Sequence, residues 1–216
     1  MNAAPSKGKE TITPKRRGLL LVVSAPSGAG KTTLCREMAH TVAGLQYSIS
    51  YTTRAPRAGE IDGKDYFFVT EAEFMKMVRQ EEFAEWAKVH NNLYGTHAGF
   101  LKRTMEGGTD VLLDVDVQGA RLLKKRFPEG IFIFVLPPSM EILMGRLRDR
   151  GSDAPEEIER RFRVAKEEIQ NFVDYDYLII NDKIKEATRD LESVILAERL
   201  RMRHADQNWI REQFLK

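Results

Sequence analysis

Runs of apolar residues alternate along the chain with stretches in which polar positions recur. A short apolar run rich in β-branched residues predicts a strand that is buried on both faces, as in a parallel sheet. Strands are expected at Leu19–Val23, Val111–Asp116, Ile131–Leu136 and Tyr177–Ile180. Helices are expected from about Lys31, over Val117–Phe127, between Ser139 and Gly151, from Ser152 onward, and over Ile184 to about His204. The alternation predicts an α/β domain.

Between the first helix and about Thr109 the apolar positions do not settle into this alternation. The interval consists of short, polar pieces that are broken by turns. Such a segment favours an insertion into the domain over a part of its core. We therefore expect an insert here.

Composition and charge limit the class of protein. The 216 residues, of which 42% are hydrophobic, suffice for one compact domain with inserts. There are 34 basic and 32 acidic side chains, and residues 1–18 hold five of the basic ones but only one acidic one. The rest of the chain is therefore slightly acidic, which argues against a body dedicated to nucleic-acid binding.

The basic leader, residues 1–17, contains no apolar run, so neither a signal peptide nor a membrane anchor is expected. We expect it to be disordered, and either loose contact with RNA or acidic surfaces or simple solubility would account for its charge. Cys35 is the only cysteine and no run of 18 apolar residues occurs, which predicts a reduced, cytoplasmic protein without membrane contact. The four histidines lack paired Cys/His spacing, so no zinc site is expected.

A glycine-rich turn joins the first strand to the first helix. Ser24–Gly30 supplies small residues, Gly30-Lys31-Thr32 completes a Walker A core, and Ala25 stands where the full pattern has its first glycine. Backbone N–H groups and the positive end of a helix dipole would surround one point, which favours a phosphate chain. Lys31 would reach the outer phosphates, and Thr32 would hold Mg²⁺ through its hydroxyl. The alternative is an ordinary turn between a core strand and a core helix.

Two carboxylates end the second predicted core strand. Asp114 and Asp116 are spaced i, i+2, on one face of a strand and at its C-terminal end, where an open α/β sheet binds ligands. An aspartate in this place helps to hold hydrated Mg²⁺ in P-loop proteins, so Asp114 is the candidate metal ligand. Asp116 is better placed for an acceptor nucleotide. Alternatively, both carboxylates merely face water.

The insert contains groups that bind phosphate oxygens. Arg54 and Arg57 lie in one loop, and a guanidinium donates paired, coplanar hydrogen bonds to phosphate and keeps its charge. The alternative is a solvated hairpin with surface arginines. Tyr66 and Tyr94 suit phosphate contact or aromatic packing about equally.

Other groups of the insert match guanine. Glu85 offers a carboxylate acceptor, and Ser50 and Thr96 offer hydroxyls. Guanine presents N1 and N2 donors beside the O6 acceptor, whereas adenine would leave the carboxylate badly paired. A site of this kind discriminates by about 10⁴, because the wrong base leaves buried polar groups unpaired.

Arginines cluster where one predicted helix ends and the next begins. Arg146 and Arg150 are spaced i, i+4, and Arg160, Arg161 and Arg163 follow in the next helix. A closing lid would use such arginines to neutralise a phosphoryl group in transfer. Helical salt bridges with neighbouring glutamates are the alternative, and they are favoured for Arg160 and Arg163.

Together these motifs resemble the guanylate kinase family from about Gly18 to about Arg203. The most specific strings are TTRAPRAGEIDGKDYFF, EWAKVHNNLYGT and LLDVDVQGA. The resemblance implies a three-layer P-loop NTPase fold with a parallel core sheet, a GMP-binding insert and a helical lid. It implies transfer of the γ-phosphoryl group of ATP to GMP, giving ADP and GDP, with Mg²⁺. The implied division is a leader at 1–17, a core at 18–47, 101–144 and 164–216, an insert at 48–100 and a lid at 145–163.

The resemblance also implies residue roles. The ATP-binding residues would be Ala25, Pro26, Ser27, Gly28, Ala29, Gly30, Lys31, Thr32, Thr33 and Asn181. The GMP-binding residues would be Ser50, Arg54, Arg57, Glu60, Tyr66, Glu85, Tyr94, Thr96 and Asp116. The catalytic cations would be Lys31, Arg146, Arg150 and Arg161, and Mg²⁺ would be held by Thr32 and Asp114, partly through water.

Two rival functions remain at this stage. One is a catalytically inactive, kinase-shaped module that docks partner peptides, against which the intact Gly30-Lys31-Thr32 counts. The other is a kinase of the same class acting on AMP, UMP or a deoxynucleotide, against which the Glu85 pattern counts. The sequence leaves the oligomeric state open.

Overall fold

The computed structural model describes residues 16–89, 91–149 and 155–216. Its strands are β1 Leu20–Ser24, β2 Leu45–Tyr47, β3 Tyr51–Thr52, β4 Phe67–Phe68, β5 Phe83–Val89, β6 Asn92–His97, β7 Asp110–Asp114, β8 Ile131–Leu136 and β9 Tyr177–Ile180. Its α-helices are α1 Lys31–Thr41, α2 Glu71–Arg79, α3 Ala98–Glu106, α4 Val117–Arg126, α5 Met140–Asp149, α6 Pro155–Ile169, α7 Ile184–Arg199 and α8 Gln207–Phe214.

A five-stranded parallel sheet forms the core, in the order β2-β7-β1-β8-β9. Successive residues of a strand point to opposite faces, so Leu21 and Val23 pack with α1 and α7, whereas Leu20 and Val22 pack with α3 and α4. Helices thus cover both faces of the central strand, which is fully buried and apolar except for Ser24. The predicted three-layer α/β architecture is confirmed.

The predicted core strands are confirmed, with changes at their ends. Strands β8 and β9 have the predicted bounds, and β1 is shifted by one residue. Strand β7 ends at Asp114 instead of Asp116, because the Asp116 carboxylate accepts a hydrogen bond from Gly119 N at 2.7 Å and caps α4. Strand β2 was not predicted; it is a three-residue edge strand in which only Leu45 is buried, too short for a periodic signal.

The last predicted helix is too long. Helix α7 ends at Arg199, and a separate 3₁₀ turn and α8 follow it. Buried Glu198 accepts hydrogen bonds from Arg201 at 2.9 Å and Arg203 at 3.1 Å, and it also binds the Tyr177 hydroxyl. Pairing of a buried carboxylate with these side chains draws the chain back toward β9, which ends the helix. None of the described helices is long and apolar enough to cross a membrane.

The interval expected to be an insert forms a second sheet, in the order β4-β3-β6-β5. It has a small core of its own around Phe74, Phe83 and Leu93. Strands β5 and β6 form an antiparallel hairpin, which places Glu85 opposite Thr96. Arg126 at the end of α4 donates hydrogen bonds to the carbonyl oxygens of residues 83 and 84, at 2.8 and 3.2 Å, and so fastens this sheet to the core domain.

The folded chain begins before the predicted end of the leader. Residues 1–15 lie outside the described residues, but Arg16 pairs with the fully buried Asp110 through both carboxylate oxygens, at 2.5 and 2.9 Å. Asp110 also accepts a hydrogen bond from Leu19 N at 2.7 Å and pairs with Arg199 at 2.7 Å. Arg16 was assigned to the disordered leader; that assignment is wrong, because Asp110 uses it to satisfy a buried charge.

We expect Gly18→Ala to destabilise the fold by about 3 kcal/mol, the upper range for overpacking. A Cβ on Gly18 would lie 1.9 Å from the carbonyl oxygen of Thr109, so two backbone segments would have to separate. Gly145→Ala in α5 is the control, because there a Cβ meets no atom of the described residues within 4 Å and alanine favours a helix. Urea denaturation would check this, and equal stability of both variants would contradict it.

Candidate active site

The loop between β1 and α1 has the backbone that a phosphate requires. Gly28 and Gly30 have φ angles of 96° and 85°, and Gly30 stands directly before the first turn of α1. Among the described residues, the only side-chain-bearing residues with positive φ are Glu81 and Asn91, so Ala25 does not need the conformational freedom of glycine. The loop therefore forms with alanine at its first position.

Asn181, which follows β9, is hydrogen-bonded to the backbone of this loop. Its side-chain Nδ2 donates to the carbonyl oxygen of Ala29 at 2.8 Å, and the residue is only 5% exposed. A Cβ on Gly30 would lie 2.5 Å from that Nδ2, so glycine permits this close approach. Asn181, predicted as an ATP-binding residue, thus contacts the loop backbone itself.

Lys31, Thr32 and Asp114 meet beneath the loop. The Lys31 ammonium lies 3.2 Å from Asp114 and donates to the carbonyl oxygen of Val115 at 2.7 Å. The Thr32 hydroxyl donates to the other oxygen of Asp114 at 2.7 Å. Burial is the largest single influence and would lower the pKa of Lys31, but the surrounding groups, with the Asp114 carboxylate first among them, together outweigh it, so the pKa lies above its usual value and Lys31 is charged.

The hydroxyl and carboxylate oxygens of Thr32 and Asp114 fit Mg²⁺, which prefers oxygen ligands and keeps several waters. Within the described part of the chain, no group of three His, Cys, Asp or Glu side chains is arranged to hold a metal ion by itself. A Mg²⁺ ion here would therefore need water and a bound phosphate to complete its ligands.

The guanine-matching residues meet on the opposite wall. The Thr96 hydroxyl donates to Glu85 at 2.6 Å, and Glu85 is 7% exposed. Burial raises the pKa of Glu85 to about 7, although the Thr96 hydrogen bond opposes this shift. The other carboxylate oxygen would lie 3.0 Å from a Cβ on Gly119, so the glycine lets the start of α4 approach Glu85.

A single cleft of about 270 Å³ connects the two walls. The predicted residues that line it are Ala25, Pro26, Ser27, Gly28, Gly30, Lys31, Thr32, Thr33, Ser50, Tyr66, Glu85, Tyr94, Asp114 and Asp116. Ala29 is buried beneath the loop and Thr96 lies behind Glu85. Groups suited to phosphate and groups suited to guanine therefore face the same space.

Arg54, Arg57 and Glu60 form a loop beside the cleft. Arg54 donates to Glu60 at 2.8 Å, and the backbone N of Arg57 donates to the other oxygen of Glu60 at 2.7 Å. The Arg54 guanidinium lies over the ring of Tyr66, 5.3 Å from its centroid. The hydrogen bond from Arg54 is the main cause of a lowered Glu60 pKa, so Glu60 is ionised and orients Arg54.

The predicted lid arginines lie on the side of the phosphate loop. Arg161 on α6 donates to the Ser27 hydroxyl at 2.5 Å. Arg146 on α5 donates to the carbonyl oxygens of Asn181 and Asp182 at 2.9 and 3.3 Å. Arg160 pairs with Glu157 at 2.6 Å, which is the expected helical salt bridge. Arg150 and the helix break at Gly151 lie outside the described residues.

Sequence reasoning missed Glu168 on α6, which also lines the cleft. One of its carboxylate oxygens lies 3.4 Å from Ser27 N, and burial raises its pKa to about 6. Glu168 follows Arg161 by seven residues, which places both on one helix face. That spacing was a usable signal, but only the fold shows that the phosphate loop lies opposite.

Comparison with known proteins agrees with this geometry. A family model described as guanylate kinase matches residues 17–198 of the chain. The chain belongs to the guanylate kinase family. This family catalyses the phosphorylation of GMP by ATP, so the predicted family, enzyme class and reaction are confirmed.

The chain is similar to several guanylate kinases over most of its length. It is 54% identical to "Guanylate kinase" of Geobacter sulfurreducens over 187 residues, which cover 87% of this chain and 92% of that protein. It is 48% identical to "Guanylate kinase" of Caldanaerobacter subterraneus subsp. tengcongensis, covering 87% and 91%. The crystal structure of guanylate kinase from Anaplasma phagocytophilum superimposes with a TM-score of 0.78 at 30% identity, covering 94% of this chain and 98% of that one.

Proposed function

We propose that this protein transfers the γ-phosphoryl group of ATP to GMP within the described cleft, giving ADP and GDP. The observation that carries this proposal is the common cleft of the phosphate loop and the Glu85–Thr96 pair. ATP would lie on the loop and GMP on the wall formed by the second sheet. Residues 48–100 would form the acceptor insert, residues 145–163 the lid and the remainder from residue 18 the core.

The donor side binds the phosphates of ATP. Backbone N–H groups of residues 27–32 and the start of α1 would hold them, and the charged Lys31 would neutralise the outer phosphates. Arg146, Arg150 and Arg161 would add positive charge when the lid closes. Phosphoryl transfer needs alignment and charge neutralisation more than covalent help.

The acceptor side selects and aligns GMP. The ionised form of Glu85 would accept hydrogen bonds from guanine N1 and N2, and these donors would lower its pKa from about 7 on binding. Ser50 and Thr96 would complete the base site beside Asp116. Arg54, Arg57, Tyr66 and Tyr94 would hold the phosphate, with Glu60 orienting Arg54. We assign no general base, because a phosphate nucleophile is largely deprotonated near neutral pH.

We further propose that Mg²⁺ accompanies ATP, held by Thr32 and Asp114 and partly through water. When bound, the ion would neutralise charge on the transferred phosphate. Lys31 and Thr32 both contact the Asp114 carboxylate, which orients this carboxylate toward the loop. The cytoplasmic location and the role of the leader stay predictions.

A panel of acceptors tests the function. With ATP and Mg²⁺, turnover should be high for GMP and about 10⁴-fold lower in kcat/KM for AMP and UMP, because adenine and uracil leave Glu85 unpaired. Hydrolysis of ATP without any acceptor should be slow, since an open site does not align water. A coupled ADP-release assay measures all arms. Equal rates with AMP would contradict the guanine site, and no turnover would favour a peptide-binding module.

A further inference from the structure

Two side chains of helix α6, one positively and one negatively charged, contact the same residue of the phosphate loop. Arg161 donates to the Ser27 hydroxyl at 2.5 Å, whereas the Glu168 carboxylate accepts from the Ser27 backbone N–H at 3.4 Å. A backbone N–H of a phosphate loop normally serves an anion. In the structure a carboxylate of the protein itself takes that place.

A nucleotide phosphate and Glu168 would compete for the same donor. Both are anions, and both would stand at the Ser27 N–H, which the proposed function assigns to the donor phosphates. At 3.4 Å the hydrogen bond from Ser27 is long, so little is lost when a phosphate replaces the carboxylate. The Glu168 carboxylate and a bound phosphate would also repel each other, because two anions at contact distance in a half-buried site interact strongly.

The charged groups around Glu168 decide how readily its carboxyl ionises. Lys31 approaches from α1 and favours its ionised form, Asp116 approaches from the start of α4 and opposes it, and Arg161 lies two turns earlier on the same helix face. Burial is the largest influence and opposes the charge. Glu168 is thus an anion whose charge these surroundings tolerate, and its carboxyl becomes neutral near pH 6.

We propose that Glu168 is a positioning residue for the phosphate loop: it holds the Ser27 N–H while the donor site is empty and yields it to a phosphate of ATP. This inference rests on the proposed function, which places ATP on that loop. Since the negative charge of Glu168 repels an incoming phosphate, it opposes ATP binding, and Glu168 thereby sets the affinity for the donor nucleotide. It also links α6 to the state of the loop, because Arg161 contacts the same serine.

The test is the affinity of Glu168→Gln for ATP with Mg²⁺, measured by titration calorimetry without GMP. Glutamine keeps the size of the side chain and removes its charge, so ATP should bind about tenfold more tightly than to the unmodified protein. Glu167→Gln is the matched control, because that glutamate is the neighbouring, exposed residue on α6 and should leave the affinity within about twofold. Unchanged or weaker ATP binding by Glu168→Gln would overturn the proposal.

A pH series separates positioning from a merely structural role. The folded-state pKa of Glu168 is raised to about 6, so the side chain is mostly ionised at pH 8 and mostly neutral at pH 5.5. The gain in ATP affinity from Glu168→Gln should therefore shrink to about twofold at pH 5.5, where the native carboxyl is mostly uncharged, like the glutamine amide. If Glu168 had only a structural role, its replacement would change the ATP affinity by the same factor at every pH. Failure of GMP phosphorylation by the unmodified protein would refute the proposed function separately, since ATP binding is measured without turnover.

Discussion

Replacement of Lys31 with alanine should lower kcat by about 10³-fold, the size expected for loss of a preorganised positive charge from a transition state. The ammonium donates its hydrogen bonds, among the described residues, to Asp114 and to the Val115 carbonyl on the donor side of the cleft. GMP binding should therefore stay within about twofold, because the guanine wall is untouched. A coupled ADP-release assay gives kcat, and calorimetry with GMP gives the affinity.

Lys102→Ala serves as the control for Lys31→Ala. Lys102 is exposed on α3 and should be replaceable without effect on turnover. If Lys31→Ala lost turnover and GMP affinity to the same extent, Lys31 would be a structural residue and its assigned role would fail.

Glu85→Gln should reduce kcat/KM for GMP by about 10³-fold and narrow the preference for GMP over AMP. The glutamine oxygen can still accept from Thr96, whose hydroxyl lies 2.6 Å from Glu85. Its amide group, however, would present hydrogen atoms to the guanine donors, and unpaired donors in a buried site are costly. The acceptor panel with AMP and GMP measures both effects.

The stability of Glu85→Gln shows whether its loss of kcat/KM for GMP comes from guanine recognition or from a damaged fold. The folded-state pKa of Glu85 is raised to about 7, so its charge destabilises the fold as pH rises through that value. Glu85→Gln should therefore be at least as stable as the unmodified protein at pH 8, and Glu106→Gln, on the exposed end of α3, should change neither stability nor activity. Retention of full selectivity by a folded Glu85→Gln variant would refute guanine recognition by this residue.

Much of the fold could be predicted from local sequence patterns. The continuous apolar runs of β8 and β9 were predicted to the residue. Strand β8 is buried on both faces, which is the environment that favours such a run, whereas the edge strand β9 exposes Leu178 and Ile180. The start of α1 at Lys31 followed from the glycines before it, whose positive φ angles the structure shows. Helix ends were harder: beyond Arg199 the chain is held by the contacts of Glu198 with Arg201 and Arg203 and with the distant Tyr177, and the last of these cannot be read from the local sequence.

The sequence by itself determined the family, the phosphate loop and the residue types that recognise phosphate and guanine, since each depends on a short string with its own backbone or side-chain chemistry. Only the tertiary structure decided which of them share a cleft. Lys31 and Asp114 are separated by 83 positions, and Ser27 and Glu168 by 141. Such pairs meet because β7 lies beside β1 in the sheet and α6 folds over the loop, and the packing of whole elements sets these neighbours.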